Sequence, residues 1–162
     1  EGKGYGQSAA EIFNNANYIV IKRDGNKPEN VAFLKELAMA FGCKRVVELT
    51  TKEHDAIIAY TSNLPHIMAV SLVNSDSMHD NTKYFIAGSF RDATRVADIN
   101  AALWKDLFLL NKANVRAEIA KLQAQLTKWD KALENGDEKL IVQMMEEAKH
   151  KREDLFNAKN FR

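Results

Sequence analysis

The chain has 162 residues, 46% apolar and 28% charged, the composition of a folded globular protein long enough to bury a core. Twenty-three Lys and Arg stand against 22 Asp and Glu, and the resulting +1 leaves no sequence-wide electrostatic case for nucleic acid. A single cysteine, Cys43, excludes an internal disulfide and fits a reducing, cytoplasmic setting.

The opening stretch, EGKGYGQSAAEIF, is Gly-rich, lacks Met and reads as part of a longer protein whose upstream portion is missing. Tyr18 to Ile21 is a β-branched run closed by Asp24, Gly25 and Pro28, which predicts a strand and a turn. Pro28 and Glu29 open a predicted helix with Val31, Phe33, Leu34, Leu37, Ala38 and Phe41 on its apolar side, and Gly42 stops it. KRVVELT is a second strand, followed by Thr50 or Thr51 as helix N-cap. Strand, helix and strand within about thirty residues predict a parallel βαβ unit, with only helices after it.

HDAIIAYTSNLPHIMAVSL, residues 54 to 72, reads as one amphipathic helix with a proline near its middle. The uncharged run from Ala56 up to Asp76 holds Ser, Asn, Pro and His and reads as core rather than a membrane span. Further on, Trp104, Phe108, Val115, Ile119, Leu122, Leu126, Trp129 and Leu133 predict one helix over about 101–134, with a heptad-like seam from Val115. Such a helix, roughly 50 Å long at 1.5 Å per residue, would overhang its own monomer and call for a partner chain. The alternative is two helices broken near Asn111 to Asn114 and packed within the chain. Asn135 and Gly136 end the segment, and Asp137 caps a last helix with Leu140, Ile141, Met144, Met145 and Ala148 inward.

Two groups of residues suit chemistry. Ser62 and His66, four apart, share a helix face with Asp55, and a kink at Pro65 would turn Ser62 and His66 toward one polar cleft. The competing reading is local satisfaction, with Ser62 bonded to a carbonyl and His66 a hydrogen-bonded core histidine. In AGSFRDATRVA, residues 87 to 97, Arg91 and Arg95 share a face and Asp92 could hold either guanidinium, an arrangement suited to capturing a carboxylate. A solvated capping network explains the same residues. The four histidines have no metal-ligand spacing, and no metal is expected.

Taken together, HD, SNLPH, GSFRDATRVA and LWKDLFLLNK resemble the motifs of the prephenate dehydrogenase family, in that order and at family-like spacing over nearly the whole chain. The resemblance implies a mainly α fold: a short βαβ remnant of a Rossmann domain (residues 1–50) followed by an all-helical substrate-binding and dimerisation domain (51–162). It implies an oxidoreductase of tyrosine biosynthesis that converts prephenate to 4-hydroxyphenylpyruvate with NAD or NADP. The dinucleotide site and the catalytic histidine would both lie upstream, so the 162 residues alone would be inactive. The substrate-binding set it implies is Ser62, Asn63, His66, Asp92, Arg95 and Trp104, with a homodimer formed through the 101–134 helix. Asn63 stands where the family usually has a histidine, and Ala87 and Ser89 replace turn glycines. Arogenate oxidation, or a non-catalytic dimerisation or ligand-sensing role, are the alternatives.

Overall fold

The computed structural model describes Gly6, residues 8–75 and residues 79–156. Its contacts gather the chain into two compact units, Glu1–Asn114 and Val115–Arg162. The first unit begins with strand β1 (Asn17–Lys22), helix α1 (Pro28–Ala40) and strand β2 (Arg45–Thr50). The strands pair in parallel, with Asn17 opposite Arg45 and Lys22 opposite Thr50, as a βαβ unit requires. Lys22 at the end of β1 and Lys35 on α1 both pair with Glu48 on β2, tying the three elements together.

Gly42 ends α1 for a reason visible in its geometry. Its φ is +92°, and a Cβ there would lie 2.8 Å from the Asn14 Oδ1. Only glycine fits both the backbone and the space. Cys43 is buried beside it as a free thiol. The predicted apolar side of α1 is only partly buried: Ala38 is enclosed, but Phe33, Leu34 and Phe41 lie exposed. A two-stranded sheet is too narrow to cover a whole helix face, so these side chains find no neighbours among the described residues.

Thr50 caps the next helix, α2 (Thr51–Ile58), through a reciprocal capping box. Its Oγ1 accepts from the Glu53 N–H at 3.2 Å, and its own N–H donates to the Glu53 Oε2 at 2.8 Å. The helix then passes through a π turn, Ala59–Asn63, into α3 (Leu64–Val73). The proline irregularity therefore takes the form of a π turn just before Pro65, with the Leu64 N–H donating to the Ala59 carbonyl five residues back. Thr51–Val73, with mean hydropathy 1.4, has the length and composition of a membrane-crossing helix. In this fold its α3 part is the surface on which α4 (Gly88–Thr94) and the 3-10 turn Arg95–Ala97 pack.

The single helix expected over 101–134 is instead two, α5 (Ala101–Leu110) and α6 (Lys112–Glu134). Asn111 interrupts them with φ −104° and ψ 22°, outside the helical region. Asn100 caps α5 by accepting the Leu103 N–H at 3.2 Å.

In the second unit α6 continues and turns at Asn135–Asp137 into α7 (Glu138–Phe156). Asp137 caps α7 as predicted, its Oδ1 accepting from the Leu140 N–H at 3.0 Å. Ala132 and Met144 are buried, and Ile119, Leu122 and Trp129 are half-buried. Met145 and Ala148, expected inward, are exposed, as are Leu126 and Leu133 of the seam.

Candidate functional site

The His66 ring lies on the Trp104 indole, with ring centres 3.7 Å apart and planes inclined by 30°. Phe108, one turn along α5, tilts against the other side of the cluster at 5.3 Å. The stack joins α3 to α5, two helices whose sequence positions are far apart. His66 Nδ1 lies 2.8 Å from the Ser62 carbonyl oxygen. A carbonyl only accepts, so Nδ1 carries the proton and the neutral ring presents its Nε2 lone pair. Among the described residues Nε2 has no hydrogen-bond partner. The ring is thus fixed in plane by the indole and in tautomer by the carbonyl, with one nitrogen left for a ligand. Ser62 itself is half-buried.

Asn63 has a different position. It is 2% exposed, and its Oδ1 accepts from the Asn111 amide at 3.3 Å. The same Asn111 Nδ2 donates to the Asp55 carbonyl at 2.8 Å, while Asn111 Oδ1 accepts from Asn114 at 2.8 Å. Asp55, on the Ser62 face in sequence, contributes this carbonyl and pairs its carboxylate with His54 Nδ1 at 3.0 Å. The sequence pattern did not single out Asn111. The signal available for it was an asparagine at the edge of two helical stretches.

Arg95 opens the 3-10 turn that packs on α3, the helix carrying His66, and its side chain is exposed. Asp92 is exposed too, and among the described residues it pairs with neither Arg91 nor Arg95. The carboxylate clamp expected for the guanidinium does not form, which leaves positive charge uncompensated on this face. Thr94 bonds back to the Phe90 carbonyl at 2.8 Å and so closes the end of α4. The structure brings Ser62, His66 and Trp104 together, sets Arg95 on an adjacent element, and turns Asn63 into the helix contact.

The described residues do not form a dinucleotide cradle. The turn after β1 has one glycine, Gly25, and α1 starts on Pro28, which withdraws an amide that a phosphate would use. An open cleft of about 370 Å³ beside that turn is lined by Lys22, Arg23, Asn26, Pro28, Lys35 and Glu48, but both lysines are engaged by Glu48. That double pairing holds the Glu48 carboxyl down at about 2, chiefly through its hydrogen bonds to Lys22 and Lys35.

A parallel strand–helix–strand unit running directly into helices that fix a histidine against a tryptophan defines a class: the end of an α/β layer joined to a helical, ligand-holding domain. Residues 50–147 match the family described as prephenate dehydrogenase, dimerization domain. The chain belongs to that family. It is 31% identical over 148 residues to the prephenate dehydrogenase of Bacillus subtilis (strain 168), covering 89% of this chain and 40% of that protein. It is 28% identical over 158 residues to the cyclohexadienyl dehydrogenase of Zymomonas mobilis, covering 94% of this chain and 53% of that one. The crystal structure of prephenate dehydrogenase from A. aeolicus, in complex with hydroxyphenyl propionate and NAD+, matches with a TM-score of 0.84 at 25% identity. That match covers 96% of this chain and 55% of the other. The chain therefore spans roughly half, or less, of the length of these proteins.

Proposed function

We infer that the chain is the C-terminal portion of a prephenate dehydrogenase, an oxidoreductase of tyrosine biosynthesis that decarboxylates prephenate oxidatively to 4-hydroxyphenylpyruvate. Residues 1–50 are then the tail of the nucleotide-binding domain, and 51–162 the helical substrate-binding and dimerisation domain. NAD or NADP, like the catalytic base, belongs to the portion upstream. A cytoplasmic location goes with this reading. The observation that carries it is the His66–Trp104 stack, with Nδ1 held on Ser62, inside the stretch that matches the family.

The roles follow from the chemistry of the substrate. Prephenate is an anion with two carboxylates and a ring hydroxyl. Arg95, unpaired by Asp92, supplies a guanidinium that can bind a carboxylate through two parallel hydrogen bonds. His66 Nε2 and the Ser62 hydroxyl offer polar contacts for the other end of the substrate, and the Trp104 indole supplies a flat apolar wall that helps exclude water. Asn63 and Asp92 complete the proposed set, Asn63 acting through the helix contact rather than by touching the ligand.

In the complete enzyme Arg95→Ala should raise KM for prephenate roughly 10- to 100-fold, the loss of one charge-assisted hydrogen-bonded pair. Affinity for the nicotinamide cofactor should stay the same. An unchanged KM would remove Arg95 from the site. The name cyclohexadienyl dehydrogenase, carried by one relative, specifies the ring and not the side chain, and on that ground arogenate is the second reading. Comparing kcat/KM for the keto and amino side chains separates the two.

A further inference from the structure

We propose that Asn111 is a positioning residue: its side-chain amide clamps the π turn so that His66 faces Trp104. This rests on the reading above for its consequence in the reaction, but the clamp itself is a matter of geometry. Asn111 Nδ2 reaches two acceptors on the segment before α3, the Asp55 carbonyl at 2.8 Å and the Asn63 Oδ1 at 3.3 Å. Its own Oδ1 is held by Asn114 at 2.8 Å, which fixes which way the amide points. Asn63 is 2% exposed, so this bond is made where an unpaired amide would be costly.

The clamp and the stack are two ends of one helix contact. Going from Asn63 to His66 moves one turn up α3, and going from Asn111 to Trp104 moves two turns back along α5. The clamped pair and the stacked pair thus lie on the same two elements, in opposite chain directions. A π turn inserts one residue into the helix, and each residue of an α-helix advances the side chains by about 100°. Were the π turn to relax to α-helix, everything from Leu64 onward would rotate by that angle relative to α2. His66 would then leave the indole, and its Nδ1 would no longer meet the Ser62 carbonyl. Pro65 makes a π turn favourable by lacking the N–H that the preceding turn would use. The Asn111 amide then gives that turn a fixed partner and ties it to α5.

The test is spectroscopic and uses the chain without substrate. In the unmodified chain the His66 ring protons should be displaced upfield by the indole ring current in proton NMR, and Trp104→Leu should abolish that displacement. Asn111→Asp keeps size and loses the donor, and Asn63→Leu loses the acceptor. Both should return the His66 protons toward the positions of an unstacked histidine while far-ultraviolet circular dichroism keeps its helical signal. Asn63→Asp, which preserves an acceptor oxygen, should retain the displacement. A folded Asn111→Asp chain with unchanged His66 resonances overturns the proposal. Should that variant not fold, the unmodified chain still decides: the Asn111 side-chain amide protons must exchange with solvent more slowly than those of the exposed Asn135, and equal rates overturn the clamp. In the complete enzyme Asn111→Asp should raise KM for prephenate about tenfold. If the NMR signature is lost and KM does not move, the clamp stands and the assignment of His66 to the substrate site is what fails.

Discussion

Glu48 is the residue whose surroundings most clearly alter its chemistry. Hydrogen bonds from Lys22 and Lys35 lower its carboxyl from 4.5 to about 2. A carboxyl depressed in the folded state stabilises the fold above its unfolded pKa, and that contribution is lost as pH falls through the folded value. The chain should therefore lose stability between about pH 4.5 and pH 2, where the two lysines lose their partner. Glu48→Gln should be less stable at neutral pH and show a flatter acid limb when thermal midpoints are measured against pH. An acid limb identical in both chains would show the pairs to be energetically idle. Gly42 makes a second prediction at this scale. Its φ of +92° and the 2.8 Å approach to Asn14 mean that Gly42→Ala should cost about 1–2 kcal/mol in urea unfolding. Both residues lie in the βαβ unit, away from His66, so neither change should disturb the ring stack.

At the scale of elements, caps and stops are local and the sequence carried them well. Thr50, Asp137 and Gly42 stand where side-chain chemistry alone put them, because an N-cap needs only an oxygen within three residues and a stop needs only a positive φ. Thr50→Ala removes both halves of the capping box and should cost about 1 kcal/mol of stability by the same measurement. The 101–134 stretch behaved otherwise. Its apolar spacing continues smoothly past residue 111, yet the helix breaks there. The break follows from the Asn111 side chain bonding to Asp55 and Asn63, 56 and 48 positions away, which no window of local sequence contains.

At the scale of the whole molecule, much apolar surface remains in water. Leu126 is 58% exposed and Leu133 64%, with Val142 and Met145 of α7 about half exposed. Soluble monomers seldom leave that much large apolar side chain uncovered. A homodimer through α6 and its surroundings covers it, in keeping with the family's description as a dimerisation domain. With the helix broken at Asn111, α6 is only 23 residues, or roughly 35 Å, so the case for the partner rests on this exposed surface and not on an overhanging rod. Light scattering should give twice the chain mass at micromolar concentration, and Leu126→Lys with Leu133→Lys should give monomers. A monomeric unmodified chain would refute the dimer. The 162 residues should also show no turnover of prephenate with NAD+, since the described residues offer no dinucleotide cradle. Measurable reduction of NAD+ would overturn that division of labour.

The sequence by itself determined the order and kind of the elements, the caps, the parallel strand pairing and the family, because these depend on residues a few positions apart or on ordered motifs. It placed Ser62 and His66 on one face because four residues are close to a helical turn. Only the tertiary structure decided that the proline irregularity becomes a π turn, that Asn63 faces another helix, and that His66 rests on Trp104. It also decided which apolar residues are buried: Ala38, Ala132 and Met144 are enclosed, while Phe33, Leu126 and Met145 of the same apolar patterns are not. Periodicity fixes which side of a helix is apolar, but burial depends on whether a neighbour arrives to cover it, and the neighbours come from distant positions in the chain.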